Sequence, residues 1–149
     1  MKVGFTGSRD GMTMAQKTTV QNWIAENCTE IDEVHHGDCV GADDEFDTMV
    51  RTYGMAYCVI VSHPSNMENW RANVDNKETA PGKQMLQTVI RKARPPILRN
   101  CDIVESCDVV IATPKTYDKA NHSGTWFTLS YAEKMRKKTI LVLPDGRIA

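Results

Sequence analysis

Apolar positions in this chain gather into five short β-branched runs: Lys2–Thr6, Glu33–His36, Tyr57–Ser62, Asp108–Ala112 and Thr139–Leu143. Stretches of helical period separate most of them, and strands alternating with helices build right-handed βαβ units on a parallel sheet. The first helix begins near Thr13, where Thr13 and Gln16 have capping-box spacing, and Val20, Trp23, Ile24 and Cys28 form its buried stripe. A second helix follows Gly41, with Ala42, Phe46, Met49, Val50 and Tyr53 on one face and Gly54 as its stop. Residues 65–96 read as an expanded excursion. Ser65–Pro81 is polar, whereas Met85, Leu86, Val89, Ile90 and Ala93 recur at helical spacing up to Pro95-Pro96. The run Arg91-Lys92-Ala93-Arg94 then reads as that helix's solvated end. Further helices are predicted over Leu98–Ser106 and from Thr125 to Lys137. The last turns Leu129, Ala132 and Met135 inward and carries Lys134, Arg136 and Lys137 near its negative end.

The expected architecture is therefore α/β: a Rossmann-like single domain over residues 1–149, with a five-stranded, mostly parallel sheet in the order 3-2-1-4-5 and helices on both faces. In such sheets ligands bind beyond the carboxyl ends of the strands, where strand order reverses. Here the reversal lies between the first and fourth strands. Each of these runs into a hydroxyl- and glycine-rich loop: Thr6-Gly7-Ser8-Arg9-Asp10-Gly11, and Thr113-Pro114 through Ser123-Gly124-Thr125. Both have the composition of loops that hold phosphate on backbone N–H groups at a helix N-terminus. Neither is GxGxxG or GxxxxGK[ST], so a dinucleotide fingerprint and a P-loop are both unsupported.

Composition narrows the field. A chain of 149 residues buries roughly 70% of its unfolded surface, and 41% hydrophobic with 25% charged residues is ordinary for a globular protein. A formal net charge of −1 argues against a protein that coats nucleic acid. No apolar run approaches the roughly 20 residues of a membrane span, and the N-terminus enters a strand without a signal-peptide pattern, so a cytoplasmic location is expected. The five cysteines lack CxxC spacing, and His35, His36, His63 and His122 form no HExxH motif. Reduced thiols, no metal and no cofactor are the expectation.

Several residue types suit a nucleotide. Gly7 and Gly11 allow close backbone approach, while Thr6, Ser8 and Arg9 offer hydroxyls and a planar guanidinium. Gly124 and Thr125 open a helix, and Trp126 beside them is placed either to stack on a base or to pack in the core. Gly37-Asp38 and Asp43 follow the second strand, where a carboxylate would accept ribose hydroxyls or act as a base; first-turn acids are also stabilised by the helix dipole alone. Arg99-Asn100, after the rigid Pro95-Pro96, reach toward the same edge. His35 and His36 read as packing residues, and Cys39 lies near the edge with nothing evident to lower its pKa.

In this order and spacing, Gly4-Phe5-Thr6-Gly7-Ser8-Arg9 with Gly11-Met12-Thr13, His35-His36-Gly37-Asp38-Cys39-Val40-Gly41-Ala42-Asp43, His63-Pro64, Arg99-Asn100 with Asp102-Ile103-Val104, Asp108 to Pro114 and Ser123-Gly124-Thr125-Trp126 resemble the SLOG superfamily. The likeness is nearest to its small YspA/YpsA-related proteins, and more distant to Lonely-guy phosphoribohydrolases, nucleoside deoxyribosyltransferases and DprA-like proteins. It covers nearly the whole chain except about Ser65–Ala93. The resemblance implies a Rossmann-like sheet, a pocket for nucleotides or nucleotide-derived signals, and a homodimer or larger homo-oligomer. The catalytic branches carry a glutamate shortly after Gly-Thr. Here Gly124-Thr125 is followed by Trp126, Phe127, Thr128 and Leu129, with no carboxylate until Glu133. That removes the group that would act on an N-glycosidic carbon. The expectation is thus a protein that binds a nucleotide or an ADP-ribose-like or cyclic signal, as a sensor or by sequestration, without efficient turnover. The alternative is an N-glycosidic-bond enzyme using Asp38 or Asp43.

Overall fold

The computed structural model describes residues 1–53, 58–77, 86–119 and 123–149. Its strands are β1 (Lys2–Gly7), β2 (Glu33–His36), β3 (Val59–Ser62), β4 (Gln87–Ile90), β5 (Val109–Thr113) and β6 (Lys138–Leu141); its helices are α1 (Met14–Asn27), α2 (Ala42–Tyr53), α3 (Pro96–Ser106) and α4 (Gly124–Lys134). The sheet order is β4-β3-β2-β1-β5-β6, and every neighbouring pair is parallel. This is the α/β, Rossmann-like fold expected, with six strands where the sequence pattern indicated five.

The added strand is the main correction. Leu86, Val89 and Ile90 fit a helical period, but Gln87–Ile90 pairs with β3 as the sheet edge, Ile60 opposite Thr88 and Val61 opposite Val89. Thr88, Val89 and Ile90 are consecutive β-branched residues, and four residues are too few to separate the two periods. The connector Arg91–Pro95 is consequently a strand-to-helix loop, not a helix end. Gly54, Tyr57, Pro81, Met85 and His122 lie outside the described residues. A smaller correction concerns Met135: α4 stops at Lys134, Arg136 turns with φ +58°, and Met135 is exposed.

Phe5 of β1 stacks on Phe46 of α2 with ring centroids 4.3 Å apart. They centre a core in which Val3, Val34, Ile60 and Ile111 of the sheet meet Val20 and Ile24 of α1 and Val50 of α2. On the opposite face, Val110 packs with Val104 and Ala132, and Ala112 packs with Trp126 and Leu129. The Thr13 capping box is formed: its hydroxyl accepts from Gln16 N (3.0 Å), and Gln16 Oε1 accepts from Thr13 N (3.0 Å). Gln16 is itself buried and donates Nε2 to the carbonyls of Pro114 (2.8 Å) and Val142 (3.0 Å). One side chain thereby fixes the start of α1 and the exit of β5.

Two buried polar chains were not visible in the pattern. His36 Nε2 meets Asp47 Oδ1 (2.9 Å), and Arg51 Nε donates to Asp47 Oδ2 (2.7 Å). Arg51 Nη2 continues to the Val74 carbonyl (3.1 Å) and the Thr88 hydroxyl (2.9 Å), joining α2 to the edge strand and to the excursion. In the second chain Glu33 Oε1, His35 and His63 are linked at 2.9 and 2.8 Å. Burial, reinforced by neighbouring positive groups, pushes His63 from 6.5 down to about 3, and burial lowers His35 as well.

The unfolded chain protonates these rings below about pH 6.5, whereas the folded chain keeps His63 neutral until about pH 3. Their contribution is complete above the unfolded pKa and is lost as pH falls toward the folded one. For His63 the cost is about 1.4 kcal/mol per pH unit inside that window. Urea unfolding at pH 5 is expected to give a stability about 2 kcal/mol below that at pH 7 for His63 alone, and His63→Asn is expected to flatten the slope. An unchanged midpoint between the two pH values contradicts the neutral ring.

Candidate functional site

The parallel pairing of β1 with β5 puts Gly7 opposite Thr113, so the loops that leave these strands start side by side. Gly7 has no room for a side chain: a Cβ there would press into the Thr113 hydroxyl and stand 2.5 Å from the Ala42 Cβ. Ser8 O accepts from Ala42 N (2.9 Å) and Gly11 N (3.0 Å), binding the first loop to the start of α2. Gly41, with φ +89°, lets α2 begin directly against the Arg9 carbonyl. Across the gap, Ser123 caps α4 by accepting from Trp126 N (3.2 Å).

Between the loops lies a cleft of about 830 Å³, within the size range of small-molecule sites. Its lining gathers Thr6, Gly7, Ser8 and Arg9 from the first loop, Gly37 and Asp43 from the β2–α2 connection, Arg99 and Asn100 from α3, and Ser123, Gly124 and Thr125 from the start of α4. Four candidates fall elsewhere. Asp38 is fully buried and turned away, accepting from Arg71 Nε (3.2 Å) and Val74 N (3.1 Å). Thr113 is fully buried against Gly7, and its hydroxyl has no partner among the described residues. Pro114 gives its carbonyl to Gln16. Trp126 takes its core option, packing on Ala112 and Leu129 and donating Nε1 to the Thr116 hydroxyl (3.1 Å).

Besides Phe5 of β1, the aromatic residues that line the cleft are Trp70 and Phe127. Trp70 comes from the polar half of the excursion. That segment is pinned down: Val40 N donates to Trp70 O (2.8 Å), Ala72 N donates to Asp38 O (2.8 Å), and Val74 is fully buried. The Arg9 guanidinium sits 3.8 Å above the Trp70 ring, a cation–π contact across the cleft mouth. A lone tryptophan inside a polar stretch was the available signal for this wall. Lys115, also at the mouth, pairs with Asp10 at 2.6 Å.

Arg99 and Asp43 form the floor. Arg99 is 6% exposed, and its Nη1 donates to the carbonyls of Gly37 (2.6 Å) and His63 (3.0 Å). Its Nε donates to Asn100 Oδ1 (2.7 Å), while Nη2 meets, among the described residues, Cys39 Sγ at 3.6 Å. Its direct contacts are therefore neutral, and its charge is left to act on the cleft. The Asp43 carboxylate accepts from Cys39 N (3.2 Å). Burial raises its pKa against the pull of His36 and Arg99, which makes it the one carboxyl of the floor biased toward the neutral form. Burial, then Asp43, raises the Cys39 thiol too, so it is no ready thiolate. Glu133 lies at the exposed end of α4, 4.0 Å from Lys119. Among the described residues, no cluster of His, Cys, Asp or Glu is arranged to hold a metal ion, and no helix is long and apolar enough to cross a membrane.

No family model and no curated protein matches the sequence. Solved structures do match over 95% of the chain. A molybdenum cofactor binding protein from the phototrophic bacterium Rippkaea orientalis aligns with TM-score 0.62 and 18% identity over 76% of its own length. DNA processing protein A from Helicobacter pylori, described for its single-stranded DNA binding mode, aligns with TM-score 0.61 and 18% identity; the chain spans 64% of it. The structural-genomics protein TM1055 aligns with TM-score 0.52 and 17% identity over 73% of its length. At such identities the likeness speaks for the fold alone, and that fold is the α/β, Rossmann-like one.

Proposed function

We propose that the protein binds a nucleotide or a nucleotide-derived molecule, of the ADP-ribose-like or cyclic kind, in the cleft between β1 and β5, and that it holds this ligand as a sensor or by sequestration. One observation carries the reading: two loops suited to phosphate leave adjacent parallel strands and line the same cleft, whose floor is the guanidinium of Arg99. Phosphate would lie between Ser8–Arg9 and the first turn of α4, where N–H groups and the helix dipole favour an anion. The Arg9–Trp70 pair would flank the base, and Asp43 would meet sugar hydroxyls. A neighbour that binds a molybdenum cofactor accords with a small-ligand role for this fold, and one that binds single-stranded DNA leaves nucleotide chemistry in the same frame.

A second reading, cleavage of an N-glycosidic bond, has Asp43 in its favour, because a carboxyl held toward its neutral form on the cleft floor is equipped as a general acid. Against it, the residues that follow Gly124-Thr125 bring no carboxylate to the cleft. The protein is expected to shift its melting temperature upward with at least one compound from a panel of nucleoside monophosphates, cyclic nucleotides and ADP-ribose. Mass spectrometry of small molecules freed by heating should recover that compound intact. Free base or ribose phosphate appearing at enzyme-like rates, and vanishing in Asp43→Asn, would move the assignment to the hydrolase.

A further inference from the structure

The β4–α3 connector carries Arg91, Lys92 and Arg94 on a fixed backbone. Arg91 N donates to Ser62 O (2.9 Å), Arg94 N to Pro64 O (3.2 Å), and Asn66 N to Arg94 O (3.0 Å). Between this connector and α3 lies a second cavity, of about 470 Å³. Arg91, Lys92 and Arg94 line one side, while His63 and the buried Arg99 close the inner end. Arg99 thus stands as a wall common to this cavity and the cleft.

Two carboxylates also face the cavity, and both are engaged. Asp102 is gripped by Arg94 Nη1 through both oxygens (2.7 and 2.6 Å). Glu105 accepts from the Tyr131 hydroxyl at 2.6 Å. Arg91 and Lys92 make no ion pair among the described residues, and both are exposed. Two exposed cations on an anchored frame, Arg91 and Lys92, beside an Arg94 already paired with Asp102, suit a doubly charged oxyanion.

We propose that this cavity is a second anion site, distinct from the cleft, that takes the phosphoryl group of a small phosphorylated molecule, with Arg91 and Lys92 as its holding charges. It does not depend on what the cleft binds. The test uses pyrophosphate as the probe, titrated into the ¹⁵N-labelled protein at low ionic strength. Saturable shifts are expected in the amides of Arg91, Lys92, Arg94 and Ser106, and Arg91→Gln/Lys92→Gln should weaken that isotherm at least tenfold. Both substituted side chains are exposed, so the fold is expected to persist, and any shifts at Ser8 and Gly124 should survive in the variant. Shifts confined to Ser8 and Gly124 would overturn the second site while leaving the cleft reading intact. An isotherm unchanged by the double substitution would overturn it too. So would a single-stranded hexanucleotide that shifts the connector amides and is not displaced by pyrophosphate, because the surface would then serve nucleic acid.

Discussion

Asp47→Ala is expected to cost about 3–5 kcal/mol of stability, the loss typical of removing one partner from a buried ion pair. Asp47 and Arg51 are both buried, and Asp47 alone joins Arg51 to His36. Burial works against the Asp47 charge, but His36 and Arg51 outweigh it, so its pKa is lowered and the carboxylate is charged in the fold. Its removal leaves a cation in the interior whose remaining partners among the described residues are carbonyls and a hydroxyl. Because Arg51 also reaches Val74 and Thr88, the damage should spread beyond α2. Amide exchange is expected to accelerate first in Gln87–Ile90 and around Trp70, ahead of global unfolding. A urea titration followed by exchange measurements checks both parts. A variant as stable as the parent, with protected β4 amides, would contradict the role given to this network.

Gly7→Ala is expected to weaken binding of the cleft's nucleotide at least 100-fold, about 3 kcal/mol. The new Cβ would press on the Thr113 hydroxyl and lie 2.5 Å from the Ala42 Cβ. Both neighbours belong to rigid elements, the end of β5 and the first residue of α2, so the loop must yield. Overpacking of this kind costs roughly 1–3 kcal/mol of stability, which the thermal melt will register. The affinity loss should be larger, since Ser8 and Arg9 move out of register with the first turn of α4. Binding as tight as in the parent would show that the two loops do not act together.

Much of the site was legible because its signals are local. The first loop and the Thr13–Gln16 box are written in short stretches whose chemistry does not depend on distant partners, whereas the cap of α4 falls on Ser123, just before the Gly124-Thr125 pair read as opening that helix. β5 stood out because a strand buried on both faces reads as a continuous apolar run, Val109-Val110-Ile111-Ala112. What stayed hidden depends on the third dimension. β4 is an edge strand with one sheet neighbour, and its four residues satisfy either period. Asp38 carries the residue type of a sugar-binding acid, but its φ of +52° turns it toward Arg71 and Val74. Packing decides between the two options open at Trp126, and Trp70 gains a place that the pattern did not assign it. Trp126 sits next to the helix start yet points inward, whereas Trp70 is brought to the cleft by backbone pairing with Val40. The Asp47–Arg51 pair resembles any i,i+4 surface pair until β4 and the excursion cover it.

One anion shared by two loops that lie more than 100 residues apart in the chain is what the cleft requires. The direct measurement is a ¹H–¹⁵N titration with the nucleotide that raises the melting temperature most. The amides of Ser8, Arg9, Gly124 and Thr125 are expected to shift together and to saturate with a single dissociation constant. Shifts at one loop alone, or two loops saturating at different concentrations, would contradict a joint phosphate seat.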